Sequence, residues 1–160
     1  MDAMIARNLI KPMVRIMPGH TAAWWVDGAK QQGKTAPVKE VMPHAEARYR
    51  IDAVRSNRLV AGLSAGGFGA LNLVMNHPQM FTASAILSPA GDDPVPPSHS
   101  SAMRQPPVQK DGKFETDLYK SLSYVAHIEA YKKSGAIVPL YINSGGSRHL
   151  QHRVSCGHTF

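Results

Sequence analysis

AGLSAGGFGALNL, Ala61 to Leu73, decides the reading of the fold. Arg58 to Leu63 is a short apolar run of strand type, and from Gly66 to His77 the spacing turns helical through Phe68, Leu71 and Met75, stopping before Pro78. Between them lies Gly62-Leu63-Ser64-Ala65-Gly66, a G-x-S-x-G pattern. Such a serine takes a strained backbone at a strand end, so small residues two before and two after it keep the turn free of clashes. The helix terminus behind it favours developing negative charge, and Ala65 N–H is placed to donate to an oxyanion.

Two other readings compete for this stretch: a glycine-rich turn that only packs, and a phosphate cradle at a helix N-terminus. The sequence is read as holding neither G-x-x-x-x-G-K nor G-x-G-x-x-G, which favours the reactive serine.

Outward from this core, Ala3 to Ile10 predicts a short helix and Pro12 to Pro18 an apolar strand ending at a Pro-Gly turn. Val38, Val41, Ala45 and Tyr49 form one helical stripe with Pro43 awkwardly inside it. FTASAILSPA, from Phe81, predicts a buried strand. Gly91 to Gly112, rich in proline and serine without apolar periodicity, predicts a long loop or lid. Leu118, Leu122, Val125 and Glu129 mark a helix, and AIVPLYINSG, from Ala136, a last strand. Strands apolar on both faces, alternating with helices, predict an α/β fold with a parallel sheet covered on both sides.

With 160 residues, 43% hydrophobic and 18% charged, the chain suits one folded domain and is too apolar for disorder. The net charge of +7 is scattered, with Lys132-Lys133 the only adjacent basic pair, so no nucleic-acid partner is expected. No apolar run approaches a membrane span, and the acidic Asp2 and lack of a long apolar core argue against a secretory signal. His20, His44, His77 and His99 lack metal-ligand spacing, so neither metal nor cofactor is expected, and the lone Cys156 reads as inert.

VMPHAEARYRI (from Val41), RLVAGLSAGGFGALNLVMNHPQMFTASAILSPA (from Arg58) and PLYINSG (from Pro139) together resemble the esterase D-like branch of the α/β-hydrolases. That branch includes feruloyl and acetylxylan esterases, S-formylglutathione hydrolases and enterochelin esterases. The resemblance implies a partial α/β-hydrolase with a mostly parallel sheet, Ser64 as nucleophile, Ala65 N–H as one oxyanion donor, and a small-molecule ester as substrate. Ile16 to Trp25 resembles the strand end and loop bordering the substrate cleft, where Trp24 and Trp25 either line an acyl pocket or pack under the lid. Asp92 reads either as a substitute acid or as a solvated turn before Pro94.

The resemblance also implies parts that this sequence does not display: earlier strands, a His-Gly-rich loop with the second oxyanion N–H, and acidic residues after the last strand. Gly146, Ser147 and Arg148 stand at that last place, and nothing puts His149, His152 or His158 over Ser64. The expectation is therefore a partial domain over residues 1–147, truncated at both ends, of low or no activity and with an exposed sheet edge open to self-association. Residues 148–160 read as a non-native tail, explicable by a single-nucleotide frameshift. A prolyl-oligopeptidase-type peptidase and a non-catalytic binding fragment are the alternatives.

Overall fold

The alternation of strand-type runs with helical spacing folds around one long helix. The computed structural model describes residues 1–19, 24–29 and 31–144. In chain order these form α1 (Asp2–Ala6), α2 (Met42–Arg48), β1 (Leu59–Leu63), α3 (Ala65–Asn76), β2 (Ala83–Leu87), the hairpin strands β3 (Gln109–Lys110) and β4 (Lys113–Phe114), α4 (Thr116–Leu122), α5 (Ile128–Lys133) and β5 (Leu140–Asn143). The central sheet is parallel, in the order β1-β2-β5, with Leu63 opposite Leu87 and Leu87 opposite Asn143.

Alternate residues of the strands face α3. Ile86 (0% exposed) packs with Ala70 and Leu71 of α3, while Val38, Leu73, Val74, Phe81 and Val138 form a second apolar cluster at its distal end. The fold class is as expected, but the two-sided cover is not. Leu59, Leu63 and Tyr141 are 60%, 65% and 62% exposed, so among the described residues only the face against α3 is covered. The strands are apolar on both faces, which is the signal read from sequence, yet no described helix lies against the second face.

Four local expectations are also corrected. Met13, Val14, Ile16 and Met17 are exposed and form no ladder, because no described strand edge runs beside Pro12 to Pro18 to accept their backbone groups. Val14, Ile16 and Met17 instead border an open groove of about 730 Å³ with Glu40, His44 and Tyr49. The first helix ends at Ala6 rather than Ile10. Pro43 is accommodated because a π-helical turn (Pro37–Val41) runs into α2 and places the proline in the first α turn, where a missing N–H is harmless. Val38 and Ala45 of that stripe are buried, while Tyr49 is 53% exposed.

The Pro-rich segment is ordered. It holds 3₁₀ turns at Ser101–Arg104 and Pro106–Val108, the first capped by the Ser100 hydroxyl, and then the β3–β4 hairpin. Asp111 and Gly112 make that hairpin turn with φ of 53° and 74°, the pair of positive values an Asp-Gly type I′ turn requires. The expected helix through Leu118 and Glu129 is broken at Ser123 into α4, a 3₁₀ turn (Tyr124–His127) and α5.

Candidate active site

Ser64 sits where β1 ends and α3 begins, with φ 56° and ψ −119°. A non-glycine residue there carries roughly 1–3 kcal/mol of backbone strain and persists only when its surroundings fix it. They do so through the strand ends. Ser64 N–H donates to Leu87 O (2.9 Å), and Ser64 O accepts from Phe68 N–H (3.1 Å) and Ala90 N–H (3.0 Å). The side chain is left exposed, at the N-terminal end of a twelve-residue helix. Ala65 N–H, in the first turn of α3, has no backbone acceptor among the described residues.

The glycines around the serine have unequal reasons. A Cβ on Gly62 would stand 2.0 Å from Gly66 O and 2.2 Å from Gly66 C, so the first turn of α3 lies directly over it. A Cβ on Gly66 would meet only Trp25 Nε1, at 4.0 Å, so the requirement for smallness holds on one side of the serine alone. A Cβ on Gly67 would lie 3.0 Å from Pro89 Cα, and one on Gly69 would collide with Trp25 Cβ. These two close approaches press α3 against the turn after β2 and against the tryptophan loop.

Both tryptophans hold positive φ, 46° at Trp24 and 58° at Trp25. Trp24 meets Phe68 edge-on (centroids 6.1 Å apart) and borders a void of about 10 Å³ with Gln105, Val108 and Leu122. That space holds about one water and no acyl group, so Trp24 packs beneath the Pro-rich segment. Trp25 lies against Gly66 and Gly69 of α3. Tyr119 and Tyr124 close the other side of Phe68, and their hydroxyls donate to Asp92 O (2.8 Å) and Gly91 O (3.4 Å). Burial first, and then the carboxylate charges of Asp92 and Asp93, push both phenols up. The Asp92 backbone is thus anchored, and its carboxylate makes no hydrogen bond to a described histidine.

The histidines lie elsewhere. His77 follows Asn76 at the far end of α3, roughly 18 Å of helix away from Ser64. Burial, then the Lys34 and Lys39 charges, hold it below its ordinary value, with Asp27 pulling the other way. His127 is lowered by burial and Lys34, and its buried Nε2 has no hydrogen-bond partner among the described residues. His44 and His99 are exposed on other segments. His20, His149, His152, His158, Cys156 and the expected tail lie outside the described residues. Among the described residues no group of three His, Cys, Asp or Glu side chains is placed to hold a metal.

The expectation that no G-x-x-x-x-G-K occurs is corrected here. Gly28 to Thr35, GAKQQGKT, fits the G-x-x-x-x-G-K-[ST] phosphate-loop pattern, and a helix begins at Thr35. Its anion position is filled from within. Asp27 Oδ1 accepts from Lys34 N–H (3.0 Å) and Thr35 N–H (2.9 Å), and Oδ2 from the Thr35 hydroxyl (2.7 Å). Among the described residues no strand precedes this loop, and these donors serve as a loop staple.

A parallel sheet, a serine at the apex of a strand-to-helix turn and a helix packed behind it define an α/β fold of hydrolase type. The family model described as Putative esterase matches residues 22–152, and the chain belongs to that family. Among solved structures it is similar to a ferulic acid esterase, with a TM-score of 0.57 and 18% identity over 91% of this chain and 68% of that one. Among curated proteins none matches.

Proposed function

We propose that the chain is a serine carboxylic-ester hydrolase of the esterase D-like branch, working through an acyl-enzyme at Ser64. The observation that carries this reading is the Ser64 backbone: φ 56° at a strand-to-helix apex, fixed by three backbone hydrogen bonds, with the side chain exposed. In this nucleophile elbow the Ser64 oxygen attacks the acyl carbonyl, and Ala65 N–H with the α3 terminus stabilises the oxyanion. The alcohol then leaves, and water releases the acid. The substrate is a small ester, and the ferulic acid esterase likeness makes hydroxycinnamoyl esters a natural part of the test panel.

Turnover by this chain is slow. No described histidine hydrogen-bonds to Ser64, and loss of triad function lowers rates by roughly 10⁴-fold or more while helix-terminus stabilisation remains. Hydrolysis of p-nitrophenyl acetate by the chain and by Ser64→Ala tests the nucleophile: the chain is faster if Ser64 reacts, and equal rates refute it. A second reading, a non-catalytic module that binds through its sheet, is favoured by the exposed Leu59, Leu63 and Tyr141 face. That reading gains if the rates are equal while the folded chain self-associates.

A further inference from the structure

We propose that Trp25 is a positioning residue for Ser64, a wedge that sets the first turn of α3 and with it the aim of Ala65 N–H. This rests on the nucleophile reading above.

The contact is unusually close. The direction of a Gly69 Cβ runs into Trp25 Cβ at 2.4 Å, Cγ at 2.6 Å and Cδ1 at 2.9 Å, so the indole base occupies the space where any other residue at 69 carries its side chain. Gly69 lies one turn into α3, and the indole reaches back along the helix so that Nε1 comes within 4.0 Å of the Cβ direction of Gly66. Trp25 therefore spans the turn that follows Ser64.

The wedge is itself held under load. A bulky residue with positive φ is a genuine outlier, and Trp24 and Trp25 are two in succession. Such strain survives only where the surroundings over-determine it. Here Val26 is 2% exposed, Asp27 staples Lys34 and Thr35, and Gly28 abuts Pro107, with its Cβ direction 3.1 Å from Pro107 Cβ. Next to Gly69 on α3, Phe68 stacks on Tyr119 and meets Trp24 edge-on. The ring cluster at Phe68 and the stapled loop at Gly69 form one continuous surface against the first turns of α3, and that surface holds the turn that follows Ser64.

The consequence is kinetic. A misplacement of about 1 Å costs up to a hundred-fold in a positioned reaction. The readout is the bimolecular rate at which a fluorophosphonate labels Ser64, located by mass spectrometry: the Ser64 oxygen bonds to phosphorus, fluoride leaves and the hydroxyl proton passes to solvent. Each protein is measured where circular dichroism shows it folded, with a methyl and an octyl probe.

Expected results are labelling slowed about ten- to a hundred-fold in Gly69→Ala and about ten-fold in Trp25→Gly. Trp25→Phe, which keeps Cβ and Cγ, stays within about three-fold of the wild type. The double variant Trp25→Gly/Gly69→Ala is no slower than Trp25→Gly, because the side chain that a methyl group at position 69 would strike is gone. The factors are the same for both probes, whereas a pocket-lining tryptophan affects the octyl probe more. If Gly69→Ala does not fold, Trp25→Leu is compared with Trp25→Phe on the same terms. Additive slowing in the double variant overturns the proposal, as do unchanged rates accompanied by lowered thermal stability. A wild-type chain that does not label at Ser64 overturns both this inference and the nucleophile reading, whereas normal wild-type labelling with unaffected variants overturns the inference alone.

Discussion

Replacing Gly62 by alanine and Gly66 by alanine, one at a time, gives opposite results in this fold although both are glycines of the same five-residue pattern. A Cβ introduced at position 62 would lie 2.0 Å from the carbonyl oxygen of Gly66 and 2.7 Å from Gly67 N, against a normal contact above 3 Å. The struck atoms are backbone of the first turn of α3, which the bonds from Ser64 O to Phe68 and Ala90 hold in place. Something must move by more than 1 Å, so the cost falls at the upper end of overpacking, about 3 kcal/mol. For a chain of this size that lowers the thermal midpoint by roughly 6–12 °C. A Cβ at position 66 would come to 4.0 Å from Trp25 Nε1 and meet no other described residue outside its own helix turn, and the position lies inside α3. Alanine there stabilises by about 0.5–1 kcal/mol through the loss of glycine's unfolded-state freedom. Thermal and urea unfolding of both variants, followed by far-ultraviolet circular dichroism, measure the difference. A Gly62→Ala protein within about 0.5 kcal/mol of the wild type, or a Gly66→Ala protein destabilised as much as Gly62→Ala, refutes the account of this turn.

Ser64→Gly removes the proposed nucleophile and also the cost of holding a side chain at φ 56°, so its stability rises by about 1–2 kcal/mol while ester hydrolysis is expected to fall to background. Asp27→Ala loses three hydrogen bonds and costs about 2 kcal/mol, and because it empties an anion nest, added phosphate restores stability to the variant and not to the wild type in a melting assay. Burial raises the Asp27 carboxyl, but Thr35 and Lys34 outweigh it and hold the value low, so the Asp27 contribution is present above about pH 4 and disappears as pH falls below its unfolded value. His77 has the same direction of shift for a base: protonation is resisted in the folded state, so stability is full above the unfolded value of 6.5 and declines as pH falls from there. His77→Gln flattens that part of the unfolding free energy measured between pH 7 and pH 5. Leu63→Thr and Leu59→Thr on the open sheet face reduce dye binding and self-association in sedimentation, with little change in unfolding free energy.

Much of the frame was legible because it is written in local chemistry. β1 was read as Arg58 to Leu63 and lies at Leu59–Leu63, and the following helix was read to stop before Pro78, as α3 does. Apolar periodicity and proline carry that information within a dozen residues. What failed depended on partners. Pro12 to Pro18 has strand composition but no described edge to pair with, and the Leu118 to Glu129 stripe kept its spacing while Ser123 interrupted the backbone. The Asp-Gly hairpin at Asp111 and Gly112 was readable from its turn residues and was hidden only by the proline content around it. The GAKQQGKT match shows the reverse failure: the pattern is present, and the carboxylate that nullifies it as an anion site lies one residue before it.

Sequence by itself determined that a serine stands between a strand and a helix with glycines on both sides, because chain order and side-chain size are local facts. Which glycine is obligatory depends on packing, which only the tertiary structure decided: a Cβ at Gly62 runs into the α3 backbone, whereas one at Gly66 comes only to ordinary contact with the Trp25 indole. It also separated the two tryptophans, placing Trp24 on Phe68 and Trp25 on Gly69, and left one face of the sheet open among the described residues. Those outcomes follow from distances of a few ångströms between segments tens of residues apart, which no spacing along the chain encodes.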